Sequence, residues 1–96
     1  MEITLKQSTR ANKKFMVKVD NKTIHFGAKG MEDFTTHKDP ERKKRYIARH
    51  KKREDWTRAG IKTAGFWSKH ILWNKPSLRE SIKDIEKNFG VNIKYG

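Results

Sequence analysis

Five basic residues, Arg42, Arg45, Arg49, Lys52 and Arg53, recur at three- and four-residue steps, with Lys43 in the same run. On a helix that spacing puts the five along one side, with Tyr46 and Ile47 turned inward. A stripe of fixed positive charge can follow a phosphate backbone, and each neutralised phosphate releases counterions. The same stripe could pair with carboxylates of another protein or simply stand solvated. Nothing in it specifies base readout, since no zinc-finger spacing and no aromatic RNA-recognition motif accompanies it. A second cluster, Trp56, Phe66, Trp67 and Trp73, could stack on bases or anchor an interface. Aromatic residues at this density more often form the core of a small domain, so the expectation is core, with one Trp left over as an anchor.

Other chemistry finds little footing. His25, His37, His50 and His70 are scattered, and no HExxH or equivalent metal-ligand spacing occurs. His37-Lys38-Asp39 would suit an HNH-type nuclease, but the metal-site pattern of that class is missing. There is no nucleophile elbow, phosphate-cradling Gly loop or paired acid/base motif. The carboxylates stand mostly at turns and helix starts, where capping accounts for them. The expectation is a binding or assembly protein, not an enzyme, with no cofactor, no metal and no catalytic residue.

The charge balance points the same way. Lys and Arg number 24 against 11 Asp and Glu, a net +13 in 96 residues. Such an excess repels itself in the folded monomer and attracts nucleic acid, anionic lipid or acidic protein. Residues 37–58 carry +6 of it, residues 1–36 carry +3 and residues 59–96 carry +4. Cysteine is absent, so neither disulfides nor a Cys-based zinc site can reinforce a core that is small at this length. Good packing, oligomerisation or a bound partner must do so. No apolar signal region opens the sequence. The longest mostly apolar stretch, Ala64 to Trp73, is too short to cross a bilayer and contains Lys69 and His70.

The elements that must position these residues divide the single domain, 1–96, into three parts. Residues 1–36 are β-rich. Ile3 to Leu5 reads as one strand, and a hairpin spans Phe15 to Phe26 around an Asp20-Asn21 turn, because Asx residues tolerate the positive φ of a tight turn. Ala28 to His37 reads as a loop. Residues 37–58 form the basic helix, started by Asp39 as cap, Pro40 in the first turn and Glu41 on the positive end of the dipole. In residues 59–96, Ala64 to Trp73 reads as a short buried helix or aromatic turn. Ser77 and Glu80 match a capping box, Leu78, Ile82, Ile85 and Phe89 form an apolar stripe, and Gly90 is a stop. Val91, Ile93 and Tyr95 alternate and suggest an edge strand added to the hairpin. The fold class expected is α+β, a small antiparallel β-sheet packed with two or three helices.

The block from His37 to Trp56, HKDPERKKRYIARHKKREDW, and its continuation GIKTAGFWSKHILWNKPSLRESIKDIEKNFG resemble a family of small basic proteins encoded by large nucleocytoplasmic DNA viruses (giant and algal viruses). The resemblance covers about residues 37–90, and the family has no assigned activity or catalytic residue to transfer. It implies a virion protein made in the host cytoplasm or viral factory. The first expectation is a minor capsid protein bridging capsomers on the inner face of the shell. Its partners would be the major capsid protein and other minor capsid proteins, or anionic headgroups of an inner membrane. The alternative is a genome-condensing protein that binds DNA without sequence preference. In either case Arg42, Lys43, Arg45, Arg49, Lys52 and Arg53 would make the polyanion or acidic-protein contact, and the protein would not act as a free monomer.

Overall fold

Alternating inward and outward side chains organise the first third of the chain in the computed structural model, which describes residues 1–96. Strands β1 (Glu2–Gln7), β2 (Lys13–Val19) and β3 (Lys22–Ala28) form an antiparallel meander. Because side chains on a strand point to opposite faces in turn, Ile3, Leu5, Val17, Val19, Ile24 and Phe26 all reach one face, and all are buried. The hairpin turn is Asp20-Asn21 as expected, closing the Val19–Lys22 pair with Asp20 at φ 54°.

The tail also becomes a strand, β4 (Asn92–Tyr95), but beside β1 and not beside the hairpin. It pairs parallel, Ile3 opposite Ile93, so the sheet order is β3-β2-β1-β4 and the sheet is mixed, not purely antiparallel as expected. Parallel pairing requires a crossover, and a C-terminal helix supplies it. The fold class is α+β.

Four α-helices follow the meander. The expected loop at Ala28 to His37 contains a short helix, α1 (Phe34–His37). A complete capping box makes it possible: Asp33 Oδ1 accepts from the Thr35 N–H at 3.0 Å, while the Asp33 N–H donates to Thr36 Oγ1 at 3.0 Å. Helix α2 (Pro40–His50) starts as expected, with Asp39 Oδ1 accepting from the Glu41 N–H at 3.0 Å. Helix α3 (Ala64–Trp67) widens without a break into a π-helical turn (Ser68–Leu72). Helix α4 (Leu78–Phe89) is capped by Ser77, which accepts from the Glu80 N–H at 3.2 Å. Only that half of the expected capping box forms. Gly90, at φ 64°, ends α4 in the left-handed conformation a glycine adopts freely.

The core lies between the inner face of the sheet and the C-terminal helices. Ile61, Phe66, Trp67, Ile71, Leu72, Ile85 and Val91 close over the six strand residues, with Leu78, Ile82 and Phe89 packed at the margin. The π-helical turn approaches the sheet closely at Gly27 (φ +80°), where a Cβ would stand 2.7 Å from Leu72 Cδ1. A side chain there would push the π-helical turn off the sheet.

Candidate functional site

Helix α2 presents the basic residues, and a stack of aromatic rings holds it in place. Tyr46 is its one buried residue. Its ring lies parallel to Trp73, with centroids 4.4 Å apart and planes 4° apart, and His50 covers its other face at 4.3 Å. Stacked pairs of this kind add about 0.5–1.5 kcal/mol beyond the area they bury. Burial, reinforced by the Glu54 carboxylate, pushes the Tyr46 hydroxyl far above the usual phenol range, so it stays neutral.

Lys43 belongs to this mount, although the sequence placed it on the contact surface. Its ammonium donates to the Asn74 carbonyl at 2.6 Å and sits 5.0 Å from the centre of the Phe34 ring. Burial, followed by the nearby Lys75, lowers its pKa, while Asp84 acts in the opposite direction. Asn74 in turn donates to Asp84 Oδ2 at 2.7 Å, tying α2 to α4. That hydrogen bond is the main reason the Asp84 carboxyl titrates below its ordinary value.

The helix stops at His50, sooner than the basic run does. His50 Nδ1 lies 3.1 Å from Glu54 Oε1, and Glu54 is wedged against Gly65, where a Cβ would fall 2.7 Å from the carboxylate. Lys51 to Arg53 form a turn. Lys52 and Arg53 are exposed there, but they do not prolong the helical stripe as expected.

What remains on the outer edge of α2 is Arg42, Arg45 and Arg49. With Met31, Ala48 and Trp73 they border a shallow depression of about 400 Å³. Arg42 lies 3.3 Å from Glu32, both groups being substantially exposed, so the pair contributes little. Arg45 and Arg49 have no carboxylate within 4.0 Å. Across the whole chain only Lys14, Arg42 and Lys62, of 24 Lys and Arg, pair with a carboxylate. Most of the basic side chains thus have no carboxylate partner within the chain.

The aromatic residues divide between two tasks. Phe66 and Trp67 are fully buried, and Trp67 Nε1–H donates to the Ile61 carbonyl at 2.7 Å. Trp56 and Trp73 are half-buried. Trp56 lies under the Lys69 ammonium at 5.6 Å, and burial lowers the pKa of that lysine. Trp73 presents one edge to the arginine-lined depression.

The four histidines occupy separate places, and no three His, Asp or Glu side chains gather where a metal ion could be held. His37 Nδ1 accepts from the Asp39 N–H at 2.9 Å, so the His37-Lys38-Asp39 triplet serves the junction between α1 and α2. No helix is long and apolar enough to cross a membrane.

Two features escaped the sequence reading. One is the buried Lys14–Asp33 pair, 2.5 Å apart, which joins β2 to the cap of α1. The other is a set of lysines, Lys6, Lys18 and Lys94, on the outer face of the sheet. Alternation within each strand signals those lysines, but only the register shows that they share a surface. Residues 3–50 match the model of a family of unknown function (DUF5754). No curated protein and no solved structure matches the chain.

Proposed function

The chain belongs to that family of unknown function, whose model covers half of its length, and we propose that it binds nucleic acid through the phosphate backbone without reading base sequence. Arg42, Arg45 and Arg49 on α2 form the contact edge. The observation that carries this reading is an arginine edge, with Arg45 and Arg49 unpaired, on a helix whose adjoining face is locked by the Trp73–Tyr46–His50 stack. A rigid mount limits the side-chain and backbone freedom lost on binding, and arginine matches phosphate with a planar fork of donors. No second motif accompanies α2 to seat it in a groove, so the arginines are assigned to phosphates and affinity without base preference is expected.

Charge reversal tests it. The Arg42→Glu, Arg45→Glu, Arg49→Glu triple variant should bind duplex DNA more weakly by a similar factor on every sequence tried. Unchanged affinity, or a loss confined to particular sequences, would refute the proposal.

A structural role in a virus particle, as a minor capsid protein joining capsomers, is the second reading. The exposed apolar residues Met1, Met31 and Tyr95 favour it, since they could anchor a protein neighbour. Gentle opening of particles separates the two: the first reading expects release with the genome, the second retention on the emptied shell.

A further inference from the structure

The helices pack on one side of the sheet, and the other side is open. Side chains of Thr4 and Lys6 from β1, Met16 and Lys18 from β2, Thr23 and His25 from β3, and Lys94 from β4 point outward by strand alternation. Thr4 is opposite both Lys94 and Lys18, and Lys18 is opposite Thr23, so the four share one rung across the whole sheet. Lys6, Met16 and His25 share another. Between the two rungs runs a trough of about 290 Å³. At the strand spacing of roughly 4.8 Å, Lys94 and Lys18 stand about 10 Å apart on either side of Thr4.

Charge on this face is predominantly positive. Lys6, Lys18 and Lys94 are exposed, and none has a carboxylate within 4.0 Å. Glu2, at a corner of the face, is its one acid. Threonine hydroxyls fill the spaces between the lysines, and Met16 is the one large apolar side chain. A protein interface needs buried aromatic or aliphatic anchors at its centre, which this face lacks. Cations interleaved with hydroxyl donors suit phosphate oxygens.

The arginine edge of α2 lies on the helical side. Its mount is Trp73 and Asn74, which follow the π-helical turn that presses on the inner face of the sheet at Gly27. The two basic surfaces are therefore separated by the body of a molecule measuring 34 × 29 × 24 Å. One duplex seated on either surface leaves the other free.

We propose that the outer sheet face, through Lys6, Lys18 and Lys94, is a second phosphate-backbone contact, and that one chain thereby bridges two duplexes. This rests on the nucleic-acid reading of α2 and adds to it a way of drawing nucleic-acid segments together. The test uses the full chain, an immobilised DNA duplex and a second, labelled duplex in solution.

Wild type is expected to capture the labelled duplex. The Lys6→Gln, Lys18→Gln, Lys94→Gln variant should still bind the immobilised duplex but lose capture of the labelled one, on the order of tenfold. All three lysines are exposed, so an unchanged melting curve will show that the fold is intact. Capture by the variant equal to wild type overturns the proposal. Wild type that binds the first duplex and captures no second overturns bridging alone, whereas failure to bind the first overturns the reading beneath it. If the variant instead loses affinity for a poly-glutamate peptide while bridging persists, the face belongs to an acidic protein and the proposal is wrong.

Discussion

Two stretches of similar length perform opposite work in this chain. Between Ile61 and Leu72 six residues are buried, namely Ile61, Phe66, Trp67, His70, Ile71 and Leu72. Over the eleven residues of α2 only Tyr46 is. The first stretch gains its stability by removing apolar surface from water, at roughly 25 cal/mol per Å². The second cannot, and holds its place through one ring stack, one lysine threaded to Asn74, and a cap at Asp39. The basic side chains of α2 thus sit on an element that contributes only Tyr46 to the buried residues. The core segment specifies the fold, and the basic helix is mounted on it for use.

The largest effect should come from breaking the core side of this division. Trp67→Ala would leave a cavity beneath Phe26 and Phe66 and strand the Ile61 carbonyl. A loss of about 3–5 kcal/mol is expected, which lowers the melting temperature by roughly 12 °C or more for a domain this size. Thermal unfolding followed by circular dichroism checks it, and little change would mean that the core is centred elsewhere.

A smaller, local effect should follow on the other side. Trp73→Leu removes the ring on which Tyr46 stacks, at a cost of about 0.5–1.5 kcal/mol beyond the area that ring buries. Its signature is regional: amide exchange should quicken across residues 40–50 while β2 and β3 stay protected. Equal quickening in the strands would show that the helix and the core are one cooperative unit.

The smallest expected effect is a pH dependence confined to the core stretch. Burial among Phe66 and Phe89 lowers the pKa of His70 from its ordinary 6.5; the hydrogen bond of Nε2 to the Trp56 carbonyl raises it, Lys69 lowers it further and Asp84 raises it. The unfolded chain then binds the proton more readily than the folded one. His70 therefore contributes its full stability above pH 6.5, and loses it as pH falls from there through the lowered value. His70→Gln should flatten the stability profile in that window. Asp55 and Asp84, also shifted down, act only in the carboxylate range below it.

The same division explains what could be read from the sequence. Local rules wrote the hairpin, since Asp20-Asn21 and the flanking alternation need no distant partner. They also wrote the start of α2 at Asp39-Pro40 and its first turn and the stripe and Gly90 stop of α4, and they left Ala64 to Trp73 as either a short buried helix or an aromatic turn. Distant contacts settled the rest. The parallel seating of β4 depends on where α4 delivers Val91. The end of α2 falls inside the basic run, where no Gly or Pro marks it. Lys43 looked like its neighbours Arg42 and Arg45 until Asn74 and Phe34 drew it inward. The arginine edge was visible as spacing, whereas the sheet-face lysines required the register of four strands.

The most direct test of the central claim is duplex binding measured from ~50 to ~200 mM salt, for wild type and for the Arg42→Gln, Arg45→Gln, Arg49→Gln variant. Each phosphate contact contributes about 0.9 to the slope of log affinity against log salt. The account predicts a steep slope for wild type and one smaller by roughly 3 for the variant. A wild-type affinity that hardly changes with salt, or a variant with the same slope, would contradict it.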